Sequence, residues 1–341
     1  RIGDSVYTFD TLSGKTPSLI QISESVYAIA YSGDSYAGTL ITVEVSSTGP
    51  ITNTIIDTLE YDAVAGKTPH IISISGNTYG IAYTGDGDDG FLKTVQILTD
   101  GTIGDAVIDS LEFDTMTGKT PNITPISGNV YAIVYTGDVY AGSVVTIEVA
   151  ANGQITDTVI DSDIFDTVKG NTPRLIPISG DIYAVAYSGD DDDGMLKTFT
   201  ISTAGVIADE GEPEESYDFD SLEYDLLMGK TPSIIQIDDS VYAVAYAGDG
   251  DDGFLVTLDI SSTGPIADSI IDSLEYDSVK GKTPDIIHVS GTTYAIAYSG
   301  DGDVGKLVSI DIQTDGSIGA AVIDSLQFVS SKGKEPSIVY V

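Results

Sequence analysis

The chain has 341 residues, 41% of them hydrophobic, with 14 Lys and Arg set against 53 Asp and Glu, a formal charge of -39. That apolar content can fill a substantial core, and that charge repels phosphate backbones and anionic lipid heads, which excludes nucleic acid and membrane surfaces as partners. No Cys is present, so there is neither a disulfide framework nor a thiolate metal site, and the apolar runs are only strand length, so no membrane insertion is expected within this chain. So acidic a balance suits cation-rich surroundings, either a saline interior or a surface that binds divalent ions. A first residue of Arg rather than Met fits a processed or excised chain.

In chain order, a lone strand (Ser5 to Asp10) comes first, and then the sequence repeats. The corner Gly-Lys-Thr-Pro occupies 14–17, 66–69, 118–121, 229–232 and 281–284, with the variants Gly-Asn-Thr-Pro at 170–173 and Gly-Lys-Glu-Pro at 333–336. Successive corners lie 52 residues apart, except for a step of 59 between Gly170 and Gly229 that accommodates an acidic insertion at about 208–220. The spacing predicts four short strands per unit. In the second unit these are Pro69 to Ser75, Thr78 to Gly85 and Phe91 to Ile97, then a strand equivalent to Val107 to Asp114, all rich in β-branched and aromatic residues. Turn formers that accept positive φ separate them, and nothing reads as a helix.

A single four-stranded meander cannot bury both faces, so units must stack. In the second strand Tyr79, Ile81 and Tyr83 point one way and Gly80 and Ala82 the other, so large faces should meet small ones. Repeats of this length and strand count predict an all-β fold, a β-propeller of four-stranded antiparallel blades forming one domain over 1–341. Corners and fourth strands occur seven times, second and third strands six times, and the chain ends on a lone first strand, Pro336 to Val341. Closing that strand against the N-terminal one favours seven blades, the last incomplete; six blades with two spare strands is the alternative, and a slice of a longer array the third reading.

The order of a Pro-led innermost strand followed by a Tyr-rich second one, here Tyr-Ala-Ile-Ala-Tyr, resembles the YVTN-type and surface-layer propeller repeats of microbial, archaeal-like cell-surface proteins. The tetrapeptide itself is absent. The resemblance implies a propeller fold and an extracellular, cell-surface setting.

The Gly-Lys-Thr corner looks at first like a phosphate-binding loop. Such a loop needs Gly five positions before the Gly-Lys pair and a helix after it. Here that slot holds Phe9, Tyr61, Phe113, Phe165, Tyr224, Tyr276 or Phe328, and a Pro and a strand follow. The motif is therefore read as a blade-to-blade corner, with Gly for the backbone turn and Pro where a missing N–H does no harm. Lys15, Lys67, Lys119, Lys230, Lys282 and Lys334 share one corner slot, and the expected partner of each is the Asp of the neighbouring Gly-Asp hairpin: Asp34, Asp86, Asp138, Asp249 or Asp301.

The acidic hairpins supply Asp86, Asp88 and Asp89; Asp190, Asp191, Asp192 and Asp193; Asp249, Asp251 and Asp252; and Asp301 and Asp303. Closely spaced carboxylates with Gly-exposed carbonyls suit Ca²⁺, although the spacing matches no EF-hand, and solvated Asx-type turns are the plainer reading. The first and third hairpins carry Tyr36 and Tyr140 instead, aromatics that could face a partner or sugar. Asp10, Asp62, Asp114, Asp166, Asp225 and Asp277, each following the aromatic of a fourth strand, should accept backbone hydrogen bonds in the next turn. The residue after each corner Pro varies: Ser18, His70, Asn122, Arg174, Ser233, Asp285, Ser337. A varied ring at the mouth of a central channel is where a ligand would be read.

Catalytic constellations find little support: His70 and His288 are the only histidines, and no Cys nucleophile or spaced carboxylate pair stands out. Asn122-Ile123-Thr124 is a lone glycosylation sequon. The reading is a noncatalytic extracellular propeller serving adhesion or scaffolding, with Ca²⁺ a candidate stabiliser and an envelope protein, a glycan or a second copy as partner. A ligand- or glycan-binding module is the alternative, and a polysaccharide-active enzyme ranks last.

Overall fold

In a computed structural model of the protein, the structure describes residues 7–11, 13–46, 51–208 and 220–339. Among these residues, six four-stranded antiparallel sheets follow one another along the chain. Blade one comprises β1 (Lys15–Gln21), β2 (Val26–Ser32), β3 (Gly38–Val45) and β4 (Ile51–Asp62); blade two β5 (Lys67–Ser75), β6 (Thr78–Thr84), β7 (Gly90–Gln96) and β8 (Asp109–Asp114). Blade three holds β9 (Lys119–Ser127), β10 (Val130–Thr136), β11 (Gly142–Glu148) and β12 (Asp161–Asp166), and blade four β13 (Asn171–Ser179), β14 (Ile182–Ser188), β15 (Gly194–Thr200) and β16 (Ser221–Asp225). Blade five is β17 (Lys230–Asp238), β18 (Val241–Ala247), β19 (Gly253–Asp259) and β20 (Asp272–Asp277); blade six is β21 (Lys282–Ser290), β22 (Thr293–Ser299), β23 (Gly305–Asp311) and β24 (Asp324–Val329). Within each sheet the strands pair in sequence order, and the first strands of successive blades lie side by side around a central channel.

The blade count corrects the favoured expectation of seven. A sheet needs its two middle strands, and the chain supplies six such pairs, so six sheets form. The described parts of the two lone strands are not strands: Tyr7, Phe9 and Val339 pack instead against the large face of blade one, on Tyr27, Ile29 and Tyr31. The segment holding Ile338 lies against blade six, its amide donating to Asp285 Oδ2 at 2.9 Å. The acidic insertion falls almost wholly outside the described residues.

Large faces do meet small ones. Tyr79, Ile81 and Tyr83 of β6 bury against Ala28, Ala30, Leu40 and Tyr61 of blade one, and Tyr131, Ile133 and Tyr135 of β10 against Ala82 and Leu92 of blade two. Burial of each such side chain contributes on the order of 2–3 kcal/mol. Buried threonines staple the blades on the far side: Thr42 Oγ1 donates to Gly101 O at 2.6 Å and Thr94 Oγ1 to Gly153 O at 2.6 Å, each reaching the next blade's outer turn.

Candidate functional site

An antiparallel meander places the second-to-third-strand hairpins and the blade-to-blade corners on one face of the disc, which we call the corner face. The amide of Gly66 donates to Tyr36 O at 2.8 Å and that of Gly118 to Asp88 O at 2.8 Å, so each corner is tied to the hairpin of the blade before it. The corner Gly is required by proximity and not by dihedral angle. A Cβ on Gly66 would stand 2.3 Å from Gly38 Cα, and one on Gly118 the same 2.3 Å from Gly90 Cα. The left-handed residue is instead the threonine: Thr16, Thr68, Thr120, Thr172, Thr231 and Thr283 all have φ of 45–49°, and Glu335 has φ of 50°. A β-branched residue in that region is strained, and here the strain recurs at every corner, immediately before the channel.

The lysines find partners two residues beyond the expected ones. Lys67 Nζ lies 2.9 Å from Asp88 Oδ1 and Lys119 Nζ 3.0 Å from Asp88 Oδ2, so one carboxylate joins two successive corners. Asp192 and Asp251 hold the same place, with Lys169 Nζ at 2.5 Å and Lys282 Nζ at 2.8 Å and with Lys230 between them at 3.7 and 3.9 Å; Lys334 meets Asp303 at 3.0 Å. In blade one Tyr36 fills the slot, its ring 4.4 Å from Lys15 Nζ and 5.7 Å from Lys67 Nζ. Two consecutive left-handed residues in each hairpin, such as Gly87 (φ 72°) and Asp88 (φ 71°), turn the third residue toward the corner. Of the expected partners only Asp301 is paired among the described residues, and with Lys280, at 3.9 Å. The hydrogen bonds from Lys67 and Lys119 hold Asp88 below the usual carboxylate range.

The aspartates after the fourth-strand aromatics act as expected and do more. Asp62 Oδ1 accepts the amides of Val64 (2.9 Å) and Ala65 (3.1 Å), while Oδ2 accepts Tyr83 Oη of the next blade (2.6 Å) and Lys93 Nζ (2.8 Å). Burial alone would raise this carboxyl; the bonds from Lys93, Tyr83 and the two amides outweigh it and hold it low. The tyrosine clamp recurs at Tyr135–Asp114, Tyr187–Asp166, Tyr246–Asp225 and Tyr298–Asp277, at 2.8–2.9 Å. At Asp62 and Asp277 the cation is a lysine side chain, Lys93 at 2.8 Å and Lys306 at 2.6 Å. Among the described residues no group of three or more His, Asp or Glu, hairpin acids included, converges on a position that could hold a metal ion.

The same Asx turns push apolar side chains into solvent at five corners, two of them at the corner after Asp225. Val64, Met116, Val168, Leu226, Leu227 and Val279 are all more than half exposed, and Val139 and Tyr140 of the third hairpin join them. An apolar crown thus rims the corner face. The corner lysines also belong to this face, whereas the opposite turns carry no Lys or Arg among the described residues.

The varied positions line a channel cavity of about 490 Å³, together with the corner threonines, Glu335 and Ser337. Most of their variation serves one structural task. Ser18 Oγ, His70 Nδ1, Asn122 Oδ1, Ser233 Oγ and Asp285 Oδ2 accept the amides of Ile71 (3.2 Å), Ile123 (3.2 Å), Leu175 (3.0 Å), Ile286 (3.3 Å) and Ile338 (2.9 Å), each in the next step of the channel wall. Sequence reasoning missed this because Ser, His, Asn and Asp look unrelated until their shared acceptor function is seen. Arg174 breaks the rule, since a guanidinium has no acceptor. Among the described residues its one hydrogen bond runs from Nη1 to Pro173 O at 3.2 Å. Burial, and then the charge of Arg174, push His70 down to about 3, so its imidazole is neutral; accepting the Ile123 amide at Nδ1 places its proton on Nε2. The sequon is not available in the folded protein, because Asn122 and Thr124 are buried in this wall. His288 lies away from the channel, its Nε2 3.0 Å from Gly291 O and its ring against Tyr294.

The fold and the channel define a six-bladed β-propeller with a polar central cavity. No family model matches the chain, and no curated protein does. Solved structures with the same fold include a candidate 6-phosphogluconolactonase from Bacteroides uniformis (11% identity, 91% of this chain and 87% of that one, TM-score 0.62). Others are Sqt1 from Chaetomium thermophilum (14%, 96% and 76%, TM-score 0.57) and a triple arginine-to-alanine mutant of AofleA from Arthrobotrys oligospora (10%, 92% and 87%, TM-score 0.52). At these identities the likeness is one of fold. Among the described residues no helix is long and apolar enough to cross a membrane.

Proposed function

We propose that this protein is a noncatalytic, extracellular cell-surface propeller of a microbial envelope, acting in adhesion or scaffolding through its corner face. The observation that carries the reading is the crown of Val64, Met116, Val168, Leu226, Leu227 and Val279, held outward at equivalent corners by the Asx turns. Apolar groups repeated around one face suit contact with a broad partner, either an envelope protein or a glycan layer. The acidic remainder of the surface keeps such a protein soluble in saline surroundings. The test compares the wild-type protein with a variant carrying Val64→Ser, Met116→Ser, Val168→Ser and Val279→Ser for retention on envelope preparations of the source cells. Loss of retention with an unchanged melting temperature supports the reading; equal retention overturns it.

A ligand-binding propeller is the second reading, favoured by Arg174, a donor set among the acceptors of the channel ring.

A further inference from the structure

We infer that the central channel binds a small organic carboxylate that also carries a hydroxyl or amine donor, with its carboxylate on Arg174 and its donor end toward Asp285. This inference rests on the ligand-binding reading of the channel and is independent of the adhesive face.

The cavity, at about 490 Å³, is of the size that encloses small ligands. Its wall is polarised. On blades two to four it presents donors: the Nε2–H of His70, the Nδ2 amide of Asn122 and the guanidinium of Arg174. Asn122 Nδ2 lies 3.4–3.5 Å from the His70 ring nitrogens, a long contact that leaves both groups free to turn to a ligand. On blade six and the segment after it the wall presents carboxylates, Asp285 and Glu335.

Arg174 is the decisive group. Among the described residues it makes one hydrogen bond, to the carbonyl of the residue before it, which leaves four of its five N–H donors without an acceptor there. The charge of Asp285 offsets part of the cost of burying Arg174, yet no ion pair joins the two among the described residues. Asp285 is engaged otherwise, accepting Ile338 N at 2.9 Å, Ser233 Oγ at 3.4 Å and the Ser337 hydroxyl, and a carboxylate has acceptor sites beyond these three. A guanidinium fork and a carboxylate that face one cavity without touching fit a molecule with an anionic end and a donor end. The planar fork selects carboxylate as its bidentate complement.

Arg174 also has a structural disadvantage that Ser18, His70, Asn122, Ser233 and Asp285 lack. The amide of Ile234, equivalent to those capped by Ser18, His70, Asn122, Ser233 and Asp285, has no side-chain acceptor among the described residues. An arginine kept where an acceptor would stabilise the ring is the pattern of a binding residue that costs stability.

The test is thermal-shift and calorimetric titration of the whole chain with glycolate, malate and glycine, using acetate, glycerol and methylamine as controls, on wild type and Arg174→Asn. Asn is the residue that performs the acceptor task at position 122, so this variant should fold. Expected are one site per chain for at least one hydroxy- or amino-carboxylate, at least tenfold weaker binding of acetate, and loss of binding in Arg174→Asn with a melting temperature equal to or above wild type. Carboxylate binding that survives Arg174→Asn overturns the assignment. Binding of glycerol or methylamine alone would overturn the ligand class and leave the channel a binding site, whereas no binding by any probe overturns both.

Discussion

Asp88 stands between Lys67 and Lys119, 2.9 Å from one ammonium and 3.0 Å from the other, and so links the corner that opens blade two to the corner that opens blade three. The three groups are only partly buried, and ion pairs still open to solvent are worth at most about 1 kcal/mol. Asp88→Asn is therefore expected to lower stability by less than about 1 kcal/mol in urea denaturation, with the difference fading as salt is raised. A larger, salt-independent loss would show that the bridge is structural rather than electrostatic.

The corner glycine is a stricter requirement than the lysine beside it. Gly66→Ala would drive a Cβ to 2.3 Å from the backbone of Gly38, with no flexible side chain to give way. A loss of more than about 3 kcal/mol, or failure to fold, is expected. Gly76→Ala is the comparison: its φ is +54° with open space around it, so about 1 kcal/mol of dihedral strain is the whole cost.

The clamp between Tyr83 and Asp62 predicts an asymmetry. Tyr83→Phe removes one donor and should cost about 1 kcal/mol, whereas Asp62→Ala strands Tyr83, Lys93 and the amides of Val64 and Ala65 and should cost about 3 kcal/mol. Equal losses in chemical denaturation would contradict the hub role of the aspartate.

His70 sets an acid limit. Its folded value, about 3, lies below its ordinary 6.5. The neutral imidazole therefore contributes fully above pH 6.5, and as pH falls toward 3 the unfolded chain binds a proton that the folded chain refuses, so stability drops. Between pH 7 and pH 4 this amounts to at most about 3 kcal/mol. His70→Asn keeps the acceptor for the Ile123 amide and should abolish that part of the pH dependence; profiles that superimpose would refute the assignment.

For Ca²⁺, no hairpin cage is preformed among the described residues. The melting temperature in millimolar Ca²⁺ should equal that in EGTA, since only an ion that binds the folded state raises stability.

The repeat by itself determined the class of fold. Period-2 alternation in Tyr79-Gly80-Ile81-Ala82-Tyr83 fixed which face is large and which is small, and the phase of Gly-Lys-Thr-Pro marked every corner, because both are local properties of the backbone. The hydrogen-bonding role of Asp62 and its copies was legible for the same reason. What the sequence could not decide depended on groups brought together from different blades. Six sheets form rather than seven because the lone end segments have no middle strands to pair with. The lysines meet Asp88 and its equivalents rather than Asp86 because two left-handed residues redirect the hairpin. The corner glycine answers to a neighbouring backbone, and five of the varied channel residues prove to be one set of acceptors, with the donor Arg174 set among them. Each of these rests on contact across a blade boundary, where distance along the chain carries no information about distance in space.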